Sequence, residues 1–389
     1  MILPRGIYLA PMVSASELAF RMLVRKCGNA SLCYSPMLRA NDVISVAINR
    51  KKYMNTEFKV QIDKAGRTDS VEETAYLLLR DCHPEDTKSL VVQLCGSSPD
   101  KLFTATTSIL DIYSQQQQQQ PILPFGIDLN LGCPQLCAEK EGFGAFLVEK
   151  SPDLVISCIL SMRRAIDTYV YKTNNVKRPF LSAKIRLLDG GVDDTIEFIR
   201  RLKAAGLDYL AIHCRNRSVK HDGLADHEAG SRNVDAFDDF PIILNGSISD
   251  FNTAMQVIDQ TNCHAVMIAT GYLRNHSLSN NSHNVANLAL EYLGYAEKYP
   301  PPSYLYIQKH LRWLFRETLQ PKGIDTNDYT DYRVKLWTFL VRPYLRNVDQ
   351  FRLFVALYVR LSGDNIPNSI SHLVNDVTFK TVKKAGNMG

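Results

Sequence analysis

Eight short apolar runs, each closed by a turn and followed by a stretch with helical spacing, constrain this chain more than any other feature. They are "GIYLAPM" (6–12), "ASLCYSPM" (30–37), "LVVQLCG" (90–96), "GIDLNLG" (126–132), "LSAKIRL" (181–187), "DYLAIHC" (208–214), "PIILNGS" (241–247) and "AVMIATG" (265–271). Apolar runs this short, bounded by Gly, Pro and Asn, read as strands covered on both faces. Between them, "SELAFRMLVRKCG" predicts a helix capped by Ser16, striped by Leu18, Met22 and Leu23, and stopped at Gly28. "VDDTIEFIRRLKAAG" (192–206) and "SDFNTAMQVIDQT" (249–261) are helices of the same kind, while 217–240 is less regular. Eight β/α units within about 270 residues fit a closed parallel barrel better than a doubly wound sheet. The expected class is therefore α/β, a (β/α)8 TIM barrel.

Two features fall outside that pattern. The tract Gln115 to Gln120 is a polar homopolymer that cannot bury a core, and it reads as a disordered surface insertion. After the barrel, "YPPPS" (299–303) reads as a hinge, and "YIQKHLRWLFRETL", "YRVKLWTFLVRPYL" and "DQFRLFVALYVRL" carry helical apolar spacing interleaved with Arg and Lys. The expected division is a barrel over 1–298 and a small basic helical domain over 303–389, with 371–389 frayed. From residue 302 onward there are 13 Lys/Arg against 7 Asp/Glu, so this segment holds more than the whole net charge of +5. A neutral body with a basic appendage suits a phosphate-rich polymer held beside a separate site; a solvated helical face is the plainer alternative.

The apolar fraction of 45% and charged fraction of 22% are those of an ordinary soluble globular protein, and no run of about 18 apolar residues could cross a bilayer. "MILPRGIYLAPM" lacks the parts of a secretory signal, so the expected location is intracellular, cytoplasmic and/or nuclear, with no membrane association and no obligate protein partner evident. Nine cysteines, an odd number without C-x-x-C pairs, suggest neither a disulfide framework nor a zinc site, and no metal is expected.

In a barrel of this kind the site gathers at the C-terminal ends of the strands. Polar or turn-forming residues stand there in a consistent set: Pro11 and Met12; Gln93; Asn130 and Cys133; Lys184 with Arg186; His213 and Arg215; Asn245, Gly246 and Ser247; Ala269, Thr270 and Gly271. Gly-containing turns after the last two strands can place backbone N–H groups on a phosphate, although such turns also serve purely conformational needs. Lys184 in "SAKIR" points inward and needs an anionic or carbonyl partner, since an unpaired buried ammonium is costly. Gln93 is a similar anomaly. Together they suit a flavin mononucleotide (FMN), its phosphate in the last two turns and Lys184 and Gln93 at the polar edge of the ring.

At these residues the chain resembles the tRNA-dihydrouridine synthases. "LAPMVSASELAFRML", "QLCGSSPD", "DLNLGCPQ", "AKIR", "HCRNR", "NGSI" and "VMIATG" match the family's motifs in order over residues 6 to about 320. "SPML", "GFGAFL" and "GYLRNHSL" are most similar to the eukaryotic branch acting on positions 16 and 17 of the D-loop. The resemblance implies reduction of the C5=C6 bond of a tRNA uridine, with tightly bound FMN and with NADPH or NADH as reductant. It places FMN contacts at Pro11, Met12 and Val13, at Gln93, Lys184 and His213, at Asn245, Gly246 and Ser247, and at Ala269 and Thr270. It places the catalytic acid at Cys133, with Asn130 and Arg215 facing the target base. Two departures stand out: "ATG" where many members carry G-R-G, and "HCRN" in place of H-G-R-T.

The chemistry agrees with a thiol at 133. On the resemblance, bound FMN would supply hydride from N5 to C6 of uracil, and Cys133 would give the proton to C5 of the resulting enolate. A thiol with a pKa near 8.5 stays largely protonated at neutral pH yet gives its proton up readily. Lys184 or Arg215 can oppose the enolate charge. Arg312, Arg316, Arg342, Arg346, Arg352 and Arg360, near Trp313 and Trp337, are the candidates for gripping the RNA backbone. The competing readings are an FMN barrel that reduces a free pyrimidine or small enone, and an inactive tRNA-binding homologue.

Overall fold

The computed structural model describes residues 2–55, 70–115, 122–174, 177–220, 222–279, 284–320, 323–326, 328–342 and 344–386. All eight expected strands are present: β1 (Gly6–Leu9), β2 (Ala30–Tyr34), β4 (Leu90–Cys95), β5 (Gly126–Leu131), β6 (Phe180–Arg186), β7 (Tyr209–His213), β8 (Ile242–Asn245) and β9 (Ala265–Ile268). A two-residue strand, β3 (Leu38–Arg39), was not anticipated; it resumes pairing with β4 after the break at Ser35–Met37. Every pairing is parallel. β1 meets both β2 and β9, and β2 meets β4, so the sheet closes into the predicted eight-stranded barrel.

Strand alternation separates two apolar sets. Tyr8, Leu32, Tyr34, Val91, Tyr209, Ala211, Ile243, Ala265 and Met267 fill the barrel, while Ile7, Leu9, Val92, Ile127, Leu129, Ile185 and Ile212 face the helices. The inward parity also carries Gln93, Asp128, Asn130, Ser182, Lys184, His213 and Asn245. Their level is fixed by register: Gln93 pairs with Asp128, Asn130 with Lys184, Arg186 with His213, and His213 with Asn245.

The helices Val192–Ala204 and Phe251–Thr261 lie where the spacing predicts them. The first helix, Leu18–Cys27, also forms and is ended by Gly28, but Ser16 does not cap it. Its hydroxyl exchanges hydrogen bonds with Met12 N and O, and Leu18 N–H instead reaches the buried carboxylate of Asp81 at 2.8 Å. The partner comes from 63 residues away, which no local pattern shows.

Beyond the prolines the chain is helical, with Tyr304–Leu314, Arg316–Leu319, Tyr332–Val341 and Val348–Ser362. Residues 371–386 are not frayed. Ser371–Val374 and Phe379–Gly386 are helices, and Val374, Val377 and Val382 are buried because their spacing puts them on the side facing the preceding helix. The apolar core of this region is continuous with that around the barrel. Gln116 to Gln120 lie outside the described residues, and no described helix is long and apolar enough to cross a membrane.

Candidate active site

A chain of hydrogen bonds climbs from the barrel interior to the cysteine. Ser182 Oγ donates to Asp128 Oδ1 at 2.6 Å, and Gln93 Nε2 donates to Asp128 Oδ2 at 2.8 Å. Gln93 Oε1 accepts from Asn130 Nδ2 at 3.0 Å. Asn130 Oδ1 in turn accepts from the backbone N–H of Gly132 at 3.2 Å and of Cys133 at 3.1 Å. Asn130 therefore fastens the turn that carries the thiol. Asp128, fully buried, is pushed up to about 6 by desolvation, against which the bonds from Ser182 and Gln93 work. Sequence reasoning assigned Asp128 nothing. The available signal was its parity in "GIDLNL", two residues before Asn130.

The other side of the turn is braced by Arg186, which also received no role from the sequence. Its Nε donates to Gly132 O at 2.8 Å, and its Nη1 donates to the carbonyls of Asn216 and Lys220. Cys133 is half-buried and packs with Met37 against Cys95, Ala138, Phe143 and Phe146. Desolvation raises its pKa, opposed first by the backbone N–H of Gln135 and to a lesser degree by Arg186, so the thiol is held protonated at neutral pH. Gly144 completes the pocket wall: at φ +68° a Cβ there would stand 2.7 Å from Cys133 O. Cys137 is exposed on the short helix after the turn.

The Lys184 side chain is partly buried and makes no hydrogen bond to a described residue. Burial first, then the like charge of Arg186, lowers its pKa to about 7. The Asp128 carboxylate opposes this only in part, and what the ammonium lacks is a hydrogen-bond acceptor of its own.

The opposite arc is built from His213, Arg215 and the turn after β8. Arg215 Nη1 lies 3.0 Å from His213 Nε2, and its Nη2 donates to Gly223 O and Ser247 Oγ at 2.6 and 2.8 Å. Its Nε is buried with no partner among the described residues. Gly246 and Ser247 both have positive φ, +120° and +51°, and a Cβ on Gly246 would sit 2.9 Å from His213 Cδ2. Asn245 donates to Met267 O at 2.8 Å, tying this turn to β9. Ala10 N–H donates to Ile268 O, which brings Pro11, Met12 and the exposed Val13 beside half-buried Ala269 and exposed Thr270. The residues anticipated from the sequence thus lie around one barrel mouth. A lysine whose ammonium has no hydrogen-bond acceptor among the described residues, an orphaned guanidinium N–H and a left-handed turn fit a cofactor that carries anionic and carbonyl oxygens.

Of the tail arginines, Arg312 lies over the Trp337 ring and Arg316 over Trp313, with Arg274 on the same ring. Arg352 pairs with Glu297, and Arg360 caps the carbonyls of Asn375 and Val377. Trp313 and Trp337 are partly buried against the core.

The dihydrouridine synthase (Dus) family model matches residues 8–324. A mouse protein named tRNA-dihydrouridine(16/17) synthase-like is 32% identical over 315 residues, covering 80% of this chain and 55% of that one. The Saccharomyces cerevisiae tRNA-dihydrouridine(16/17) synthase is 30% identical, covering 70% and 53%. A human tRNA-dihydrouridine(20a/20b) synthase-like protein is 29% identical, covering 68% of each. A solved morphinone reductase is a distant likeness, with 11% identity and a TM-score of 0.42 over 71% of this chain and 84% of that one. The barrel with its strand-end cysteine belongs to the dihydrouridine synthase family. The chain spans little more than half the length of the 16/17-type relatives.

Proposed function

We propose that this chain reduces the C5=C6 bond of a D-loop uridine in tRNA, of the 16/17 type, with FMN as cofactor and NADPH or NADH as reductant. The observation that carries the reading is the Cys133 turn, clamped by Asn130 on one side and Arg186 on the other, within a family-matched barrel. FMN would be held by Pro11, Met12 and Val13, by Gln93, Lys184 and His213, by Asn245, Gly246 and Ser247, and by Ala269 and Thr270. When bound, it supplies hydride to the base, and NAD(P)H restores it.

The chain's own residues do the rest. Cys133 Sγ holds a proton because burial disfavours its thiolate, and it delivers that proton to C5 of the uracil. Lys184 and Arg215 oppose negative charge at the barrel mouth. Asn130 keeps the thiol aimed, and the base is met from the turn that Asn130 holds. The target nucleotide is taken out of the folded RNA into the mouth. Arg312 and Arg316, set on tryptophan rings, grip the backbone, while the ties made by Arg352 and Arg360 give those two structural work.

The test is dihydrouridine content, mapped by position, in unmodified tRNA incubated with the purified protein, FMN and NADPH, beside Cys133→Ala. Product from the wild type and little from the variant is the expected result. No product from a flavin-loaded protein would favour the small-molecule reductase, and absence of bound flavin would favour an inactive RNA-binding homologue.

A further inference from the structure

At the end of the barrel away from Cys133, the first and last β/α units meet at three side chains of different donor chemistry. Cys27 closes the helix Leu18–Cys27, His276 follows the helix Thr270–Arg274, and Glu291 lies on the helix Val285–Lys298. One thiol sulfur, one imidazole nitrogen and one carboxylate oxygen all lie within 4.8 Å of one another. His276 Nε2 is 2.8 Å from Glu291 Oε2. We propose that Cys27, His276 and Glu291 form a binding site for a divalent ion of the zinc class, which clips the first helix of the barrel to its last.

The donors are placed in advance by backbone contacts. Gly28 lies so close to the next segment that a Cβ would stand 2.3 Å from His276 O and 2.6 Å from Tyr272 Cε1. Tyr272 Oη donates to Gly28 O at 2.7 Å. Cys27 and His276 are thus locked across the seam where β1 pairs with β9. Tetrahedral zinc with one S, one N and one O ligand puts its donors about 3.3 to 3.6 Å apart. Reaching that from the observed cluster requires the His276–Glu291 pair to open slightly and the sulfur to move in by at most about 1.5 Å.

Charge also fits. The ion replaces the thiol proton, which is released to solvent, and takes His276 as a neutral imidazole with its lone pair on Nε2. A thiolate, a neutral imidazole and a carboxylate then sum with the dication to zero, which suits a buried histidine and a partly buried cysteine. Without an ion, burial and the neighbouring Glu291 carboxylate push the Cys27 thiol up to about 12. Its Sγ then rests on Leu23 O at 3.1 Å. Glu291 is exposed, leaving the fourth position open to water. The sequence could not show the site, because its ligands stand at 27, 276 and 291 with no short spacing between any two but the last pair.

The experiment titrates chelator-treated full-length protein with Co2+, read by the visible d–d bands of a tetrahedral thiolate complex at wavelengths where oxidised flavin is transparent, followed by displacement with Zn2+. One equivalent is expected, with affinity at least about tenfold weaker in Cys27→Ser and in the exposed-site variant Glu291→Gln, and unchanged in Cys137→Ser. Zn2+ should raise the thermal midpoint of the wild type and not of Glu291→Gln. No thiolate–cobalt bands in the wild type, or bands of equal affinity in both Cys27→Ser and Glu291→Gln, would overturn the proposal. If Cys27→Ser does not fold, Glu291→Gln decides.

Discussion

Lys184 makes the affinity for FMN depend on pH in a direction the structure fixes. In the free protein its pKa is about 7, lowered from 10.5 chiefly by burial and further by Arg186. A carbonyl oxygen at the ring edge, accepting a hydrogen bond from the ammonium, favours the charged form, so binding above pH 7 takes up a proton. The protonated fraction of the free protein falls from roughly nine-tenths at pH 6 to one-tenth at pH 8. The dissociation constant should therefore weaken about tenfold between those values, and about tenfold again by pH 9. Quenching of flavin fluorescence by the apoprotein, at fixed ionic strength, measures it directly. Lys184→Met should bind FMN more weakly at pH 6 and lose this slope, keeping only the ligand's own ionisation, which both proteins share. A wild-type constant changing less than twofold between pH 6 and 8, or an equal slope in the two proteins, would refute the reasoning.

Three further perturbations probe the same site. Gly144→Ala forces a Cβ against Cys133 O and an unfavourable φ, and should cost about 1 to 3 kcal/mol, seen as a lower thermal midpoint together with reduced dihydrouridine formation. Arg186→Met frees Gly132 O and removes the cation that counters desolvation of Cys133, so alkylation of that thiol by iodoacetamide should slow at neutral pH while flavin stays bound. For RNA, Arg312→Ala and Arg316→Ala should each weaken tRNA binding and reduce its salt dependence, whereas Arg352→Ala should leave both nearly unchanged. An equal loss from Arg352→Ala, in filter or fluorescence binding, would show that the ion pair with Glu297 opens to reach RNA.

The strands were legible because each is apolar on both faces and ends in a turn residue, and the polar residues at their ends stood out against that background. Gln93, Lys184 and Cys133 are examples. What stayed hidden is what depends on partners far away in sequence. Asp128 looks like a strand acid until Gln93 and Ser182 are seen on it, and Arg186 gains meaning only with Gly132, Asn216 and Lys220 around it. Ser16 has the local signature of a cap, but the distant carboxylate of Asp81 takes the helix N-terminus. The tail arginines look equivalent by composition, and only the fold separates those spent on Glu297 or on helix-end carbonyls from those lying over indole rings.

The proline run after residue 299 invites division of the protein into two interchangeable parts, and the helix Tyr304–Leu314 forbids it. His310 stands 3.2 Å from the carboxylate of Glu17, which has no solvent exposure, and its ring is layered between Phe20 and Tyr292. The same helix sends Lys309 Nζ to Val13 O, at the barrel mouth, and Tyr306 Oη to Glu73. Cutting the chain at the prolines would take His310 away from Glu17 and leave its carboxylate with the Tyr292 hydroxyl alone among side-chain donors, a loss of about 1 to 3 kcal/mol before any apolar surface is counted. A shortened barrel would thus be weakened as a folded body and not only as an RNA binder, and a foreign appendage grafted onto it would have to deliver a hydrogen-bond donor to Glu17 at the same spot.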